Sequence, residues 1–331
     1  MKKILVILFV VISAAVLTSC YKPKHLQSNI GRVFGTYYSF NYYADENYQS
    51  DIDSLFSIID SSLSTFNQNS QISLFNASEV GCNINPMFEE VYSSAHYVSQ
   101  STGGLFDITV APLVNYWGFG FNPKDTSFVR SQSDIDSIKK FVGYDKLHLE
   151  IDKFLRKSDS RVQLDASAIA KGYACDVIAD FLISKGVDRY MLDIGGEIST
   201  HGRNPNGEWW NIGVVKPVDD ASQISNDIEF SVPLKNQSIA TSGNYRQFYI
   251  TKERKVTHTI NPITGYPVNS KVLSASVISS KCIIADAYAT AFIVAGDTTV
   301  IKNIIKASKY ELEAYIIVDE NGEHQIRHYS R

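Results

Sequence analysis

Asp165-Ala-Ser-Ala-Ile-Ala-Lys171-Gly172-Tyr-Ala-Cys175-Asp176 is the stretch on which the reading of the fold turns. Over residues 167–185 the apolar side chains Ala170, Ala174, Val177, Ile178, Phe181 and Leu182 recur at helical spacing, and Gly186 supplies a stop. Asp165 stands where such a helix would be capped, and Lys171 would project from its second turn. A cap and a solvated lysine explain those two residues without any function. They do not explain Gly172, because a glycine inside a helix costs about 1 kcal/mol relative to alanine unless another backbone or a ligand must come close. After the helix, Tyr190 to Ile194 reads as an apolar strand that ends in Gly195-Gly196.

Working outward, residues 33–43 are aromatic-rich and read as a strand. Residues 51–66 place Ile52, Leu55, Phe56, Ile59 and Leu63 on one helical face. Further helices are expected over 88–100, 134–141 and 284–295, and short strands over 147–151 and 161–164 are expected to meet as a hairpin. Other strands are read at 209–215, 238–241, 245–251, 272–278 and 314–318. Strands and helices mix without strict alternation. The class is therefore α+β, a mixed α/β fold rather than a doubly wound nucleotide fold.

The chain has 331 residues, 44% hydrophobic and 20% charged, enough to bury a substantial core. Thirty-one basic and thirty-five acidic side chains give a net charge of -4 with no clustered Lys/Arg stripe, so no nucleic acid partner is expected. Met1-Lys2-Lys3 precedes an apolar run from Ile4 through Leu17, the pattern of a secretory signal. Leu17-Thr18-Ser19-Cys20 resembles the bacterial lipobox, in which the cysteine thiol is acylated and becomes the first residue. The expected organisation is a lipoprotein signal peptide over 1–19, a tether from lipidated Cys20 over 20–31, which lacks a periodic apolar face, and one domain over 32–331. Cys82, Cys175 and Cys282 follow no metal-ligand spacing and read as small buried filler. A Cys82–Cys282 bridge is open to the chain in an oxidising compartment, though no spacing argues for it.

Two further patterns bear on chemistry. In Asp286-Ala-Tyr-Ala-Thr290 the acid and the hydroxyl lie four residues apart on one helix face, where both can reach one hard cation. Read alone, an acid near a helix start and a core threonine explain the same pair. In Thr257-His258-Thr259-Ile260-Asn261-Pro262-Ile263-Thr264-Gly265 the histidine sits at a strand's end before a turn; its ordinary pKa suits proton transfer, and a hydrogen-bonded structural role explains it equally. Glycines at Gly103-Gly104, Gly195-Gly196 and Gly243 mark loop entrances where backbone amides can approach an anion or a flat ring.

Taken in order, the blocks form a recognisable series. They are Gly35-Thr36-Tyr37-Tyr38, Leu63-Ser64-Thr65-Phe66, Ser70-Gln71-Ile72-Ser73, Thr102-Gly103-Gly104-Leu105-Phe106-Asp107, Trp117-Gly118-Phe119-Gly120, residues 165–176, Asp193-Ile-Gly-Gly-Glu197, Thr241-Ser242-Gly243, residues 258–265 and Asp286 to Thr290. The sequence resembles the ApbE family of flavin transferases from about Val33 to about Gly296. That resemblance implies T-fold-like halves with an FAD cleft between them and Mg2+ near the pyrophosphate. It also implies transfer of FMN from FAD to a threonine of a target protein, in phosphoester linkage, with release of AMP. The implied metal ligands are the Ala168 carbonyl, the Asp286 carboxylate and the Thr290 hydroxyl; Asp286 and His258 are the implied catalytic pair, with His258 as base. Phe34, Leu105, Phe106, Asp107, Asp165, Lys171 and Ile260 fall at implied flavin-nucleotide contacts. Phe34 stands where family members carry Met, and Gln71 where they carry Glu. The implied acceptors are threonine-bearing subunits of membrane redox pumps or extracytoplasmic flavoproteins, met at the outer side of a bacterial cell membrane. Two alternatives use the same residues: an Mg2+-dependent FAD pyrophosphatase giving FMN and AMP, and a non-catalytic FAD-binding lipoprotein.

Overall fold

The computed structural model describes residues 24–121, 130–217, 227–244, 248–251 and 255–331. The expected signal peptide, Cys20 and the start of the tether lie outside these residues. The chain enters as an antiparallel hairpin of β1 (His25–Val33) and β2 (Thr36–Ala44), paired from His25↔Ala44 to Val33↔Thr36. The tether expected through residue 31 is thus largely a strand. It has no buried apolar face, since Leu26 and Ile30 stay exposed. Backbone pairing and a buried Asn29, whose amide donates to the side-chain oxygens of Asn47 (2.9 Å) and Gln49 (2.7 Å), hold it instead.

α1 (Gln49–Leu63) buries Ile52, Phe56, Ile59 and Leu63 at three- and four-residue intervals. α2 (Gln71–Ala77), β3 (Gly81–Asn83) and α3 (Pro86–Ser101) follow, with Asn85 capping α3 by accepting the Phe88 amide at 2.8 Å. α4 (Ala111–Tyr116) and α5 (Gln132–Lys139) share a small core around Trp117 and Ile135. β4 (Leu147–Leu149) pairs with β5 (Phe154–Lys157), and β5 with β3. The hairpin partner expected at 161–164 is not a strand. Asn76 occupies both ladder groups of Leu164, accepting its amide at 2.7 Å and donating to its carbonyl at 2.9 Å.

α6 (Ala170–Ser184) leads into β6 (Tyr190–Ile194) and β7 (Glu197–His201). A hairpin of β8 (Trp210–Val215) and β9 (Ile228–Leu234) precedes β10 (Ser238–Gly243), and a short pair, β11 (Phe248–Ile250) and β12 (Lys255–Thr257), precedes β13 (Val272–Ser279). The described chain closes with α7 (Cys282–Ala295), α8 (Thr298–Ala307), β14 (Glu313–Glu320) and β15 (Glu323–Ser330). Eight strands form one sheet in the order β1-β2-β6-β7-β10-β13-β14-β15, antiparallel at every step. The mixed α/β class is borne out, and antiparallel ladders distinguish the sheet from a parallel nucleotide-binding one.

Period-two alternation sorts the sheet's side chains. Phe40, Tyr190, Leu192, Ala275 and Val277 join the main core with α6 and α7, while Met191, Ile198, Ile239 and Ile278 face the β8–β9 hairpin around Trp210 and Val232. α7 is buried at twelve of its fourteen residues, as a helix that is apolar all round must be. It is the central helix, and it carries Asp286 and Thr290. Among the described residues no helix is long and apolar enough to cross a membrane.

Candidate active site

The site is built on the crossing of α6 and α7. A Cβ on Gly172 would lie 2.5 Å from the Cys282 carbonyl oxygen and 2.8 Å from the Asp286 Cβ, so only glycine lets these backbones meet. The close approach anticipated at Gly172 is therefore another helix. Its amide, which an undisturbed helix would close on the Ala168 carbonyl, donates to Asp286 Oδ2 at 3.0 Å. Asp176, also on α6, accepts the amides of Cys282 (2.9 Å) and Ile283 (2.9 Å) and so caps α7 from outside. Asp286 is not a helix-start acid. It lies in the second turn of α7, and the free amides of the first turn belong to Asp176.

Lys171 is not a solvated lysine. Its Nζ is 2.6 Å from Glu197 Oε2, and Glu197 is 3% exposed. Burial alone would lower the Lys171 pKa, but the charges of Glu197 and Asp286 raise it above the ordinary lysine value. Burial raises the pKa of both carboxylates, and Lys171 only partly offsets this. Two buried acids thus face one ammonium, and the cluster lacks positive charge.

A cavity of about 540 Å3 opens beside this cluster, with Lys171, Ala170 and Ser167 on one wall and Phe34, Leu63 and Phe66 among the others. Phe34 occupies the left-handed region at φ 48°, followed by Gly35 at φ 75°, which turns the β1–β2 hairpin into the cavity. Its ring meets Phe56 edge-on at 5.7 Å. A narrower hollow of about 50 Å3 shares Phe66 and Ser167 with the cavity and is lined also by Asp165, Phe119 and Phe121. Asp165 does not cap α6, whose N-cap residue is Ile169. Its Oδ1 accepts the Ser167 amide at 2.8 Å and the Ser167 hydroxyl, bending the chain one turn before the helix.

Three of the expected segments converge. The Asp165 amide donates to the Ile108 carbonyl at 2.7 Å, and a Cβ on Gly104 would lie 3.9 Å from Ile263. The Asn261–Gly265 turn is held by Trp117, whose indole N–H donates to the Gly265 carbonyl at 2.8 Å. Within these segments the side chains of Phe106 and Ile260 are buried in core, leaving backbone for any ligand contact. The Asp107 carboxylate is fully engaged, accepting the Thr109 amide and hydroxyl and the Tyr144 amide, so it holds the loop in place. Leu105 packs against the main core. His258 follows β12, and its ring meets that of Phe119, a residue lining the hollow, in a T-shaped contact with centroids 6.3 Å apart. Thr290 Oγ1 lies 3.1 Å from Ser242 Oγ, on the adjoining β10.

The residues present fit a hard divalent cation. Asp286 carboxylate, Thr290 hydroxyl and an Ala168 carbonyl relieved of its helical amide are oxygen donors of the kind Mg2+ takes, beside a cluster short of positive charge. Among the described residues no group of three or more His, Cys, Asp or Glu could hold a metal. Sequence reasoning missed Glu197 and Phe66 as site residues. Glu197 follows a Gly-Gly turn, a signal that marks position but not partner; Phe66 is an aromatic residue at a helix's end, where nothing local separates core from cavity wall.

This architecture and site define a flavin-transferase class of known structure. The chain superposes on the Vibrio cholerae flavin transferase ApbE with a TM-score of 0.80 at 30% identity, covering 93% of this chain and 97% of that one. On the Pseudomonas stutzeri flavinyl transferase ApbE in its apo form the TM-score is 0.81 at 27% identity, with 93% and 96% covered. A relative named FAD:protein FMN transferase from Vibrio cholerae serotype O1 is 33% identical over 293 residues, 86% of each chain. One of the same name from Haemophilus influenzae is 30% identical over 336 residues, 97% of this chain and 95% of its own. The profile of the ApbE family matches residues 34–316. The chain belongs to the ApbE family.

Proposed function

We propose that this protein is an FAD:protein FMN transferase, moving the FMN moiety of FAD to a threonine hydroxyl of an acceptor protein and releasing AMP. The observation that carries the reading is the Gly172 crossing, which gathers the cavity-wall Lys171 and the carboxylate of Asp286 into one buried cluster. Phe34 and Phe66 give the cavity aromatic walls that suit a flat ring. The Lys171 ammonium, held by Glu197, suits a phosphate. Ala168, Asp286 and Thr290 would hold Mg2+, which supplies charge neutralisation against diphosphate oxygens. In the transfer the acceptor oxygen bonds to the FMN-side phosphorus, the bridging P–O bond breaks, and its electron pair leaves with AMP. His258 takes the acceptor's proton.

The further reading places the enzyme at the outer side of a bacterial membrane through an acylated Cys20, where threonine-bearing redox-pump subunits or extracytoplasmic flavoproteins are the acceptors. Its support is the Leu17–Cys20 motif behind an apolar leader. A Cys20→Ala chain is expected to leave the membrane fraction, and its retention there would remove lipid anchoring. For the chemistry, the purified protein is mixed with FAD, Mg2+ and an acceptor, and mass spectrometry reads FMN on threonine together with free AMP. FMN and AMP without an adduct assign a pyrophosphatase, and bound FAD without AMP assigns a binding protein. Asp286→Ala abolishes turnover on this reading, and activity in a chelated sample would exclude the metal. Wild-type transfer by His258→Ala at saturating acceptor and neutral pH would exclude it as base.

A further inference from the structure

We propose that Cys175 and Cys282 form a disulfide that staples α6 to α7 one helical turn from the Lys171–Asp286 cluster. Both side chains are fully buried free thiols, and each lies close enough to feel the other. The two sulfurs also meet neighbouring carbonyls of one strand: Cys175 Sγ is 3.1 Å from the Glu197 oxygen and Cys282 Sγ is 3.9 Å from that of Ile198. Cys175 lies four residues after Lys171, and Cys282 four before Asp286, so on each helix the thiol stacks beneath the charged group. The backbones touch at this level, at the Gly172–Cys282 contact. The bridge considered from sequence, Cys82–Cys282, pairs Cys282 with the wrong partner: Cys82 sits half-buried on β3, beside Lys157.

The oxidant is a disulfide-bearing exchange partner. One cysteine, as thiolate, attacks a sulfur of that partner and expels its other sulfur; the second cysteine then displaces the resulting mixed disulfide. Cys175 and Cys282 together lose two electrons and two protons, and the partner's disulfide gains them as two thiols. Burial raises the pKa of both thiols in the folded protein, which makes the folded pair slow to react. The bond therefore forms while the chain folds, before the crossing closes. The supply of oxidant rests on the extracytoplasmic placement proposed above; the meeting of the two cysteines at the helix crossing does not.

The test uses the full chain exported to an oxidising compartment, purified without reductant, denatured in alkylating agent and digested. The expected result is a Cys175–Cys282 linked peptide with Cys82 alkylated. Because the bond closes a loop of roughly 100 residues, reductant should lower the Tm of wild type and of Cys82→Ala by about 5–10 °C. It should leave the Cys175→Ala/Cys282→Ala double variant unmoved. A link through Cys82, or an equal reductant effect on the double variant, overturns the proposal. If all three cysteines are alkylated, the chain is refolded from the reduced state in a glutathione redox buffer. A Cys175–Cys282 link formed there leaves the site standing and removes the compartment; no link there removes the site.

Discussion

A methyl group on Gly172 would fall against a carbonyl oxygen of the facing helix, and that helix cannot yield without moving Asp286. Gly172→Ala is expected to destabilise the protein by about 1–3 kcal/mol, the usual range for overpacking, measured by the denaturant midpoint. Turnover should fall by about a hundredfold, because a displacement near 1 Å between Lys171 and Asp286 is enough to spoil alignment. Four residues along α6, Asp176 shows a different balance. Burial raises its pKa to about 6, although the two α7 amides it accepts pull the other way. The folded state therefore binds this proton more tightly than the unfolded chain does. The stability it confers is full below the unfolded pKa near 4 and is lost as pH rises through about 6. The stability of wild type relative to Asp176→Asn should thus fall by about 3 kcal/mol between pH 3 and pH 7. Denaturation curves of both proteins across that range check the sign; a difference that grows with pH would contradict it.

At the scale of elements, local patterns located most of the longer elements, passed over the short helices α2 and α8 although both bury apolar side chains, and failed where a strand had no apolar face. α1, α3, α6, β6 and α7 lie within a few residues of their expected positions, because each carries either a periodic stripe or a continuous apolar run. β15, largely exposed, and β1 lack both, and were not expected; a partner strand made them. Residues 161–164 failed in the opposite sense, since their alternation is strand-like but a side-chain amide from α2 takes the place of a ladder. That amide has a functional consequence, as Leu164 adjoins Asp165 at the hollow. Asn76→Ala leaves a buried amide and carbonyl without their partner and should cost about 2–4 kcal/mol by denaturant titration. Conversion of FAD should show a raised KM, and an unchanged KM would separate the clamp from the site.

Across the whole molecule, the hairpin at the chain's start completes the sheet and forms a wall of the cavity through Phe34. Removing the residues before 33 should therefore behave as loss of a structural strand. A chain starting at residue 33 is expected to aggregate, because it bares the β2 edge beside a core of Phe40 and Tyr42. A chain starting at residue 24 should elute as folded protein in size exclusion; equal behaviour of the two would return the segment to the role of a tether. Side-chain type and spacing alone determined the mixed class, the central apolar helix, the glycine that had to meet something, and the ordered blocks by which the family was legible. They did so because period and steric demand are local properties of a chain. Only the tertiary structure decided that Lys171 on the cavity wall pairs with the buried Glu197, that Asp165 bends a loop rather than capping a helix, and that Cys175 is the neighbour of Cys282. The first and the last are meetings of surfaces across tens to more than a hundred residues, and burial and charge pairing exist only once they meet; the Asp165 bend is local, but where the helix after it begins depends on the packing of the whole.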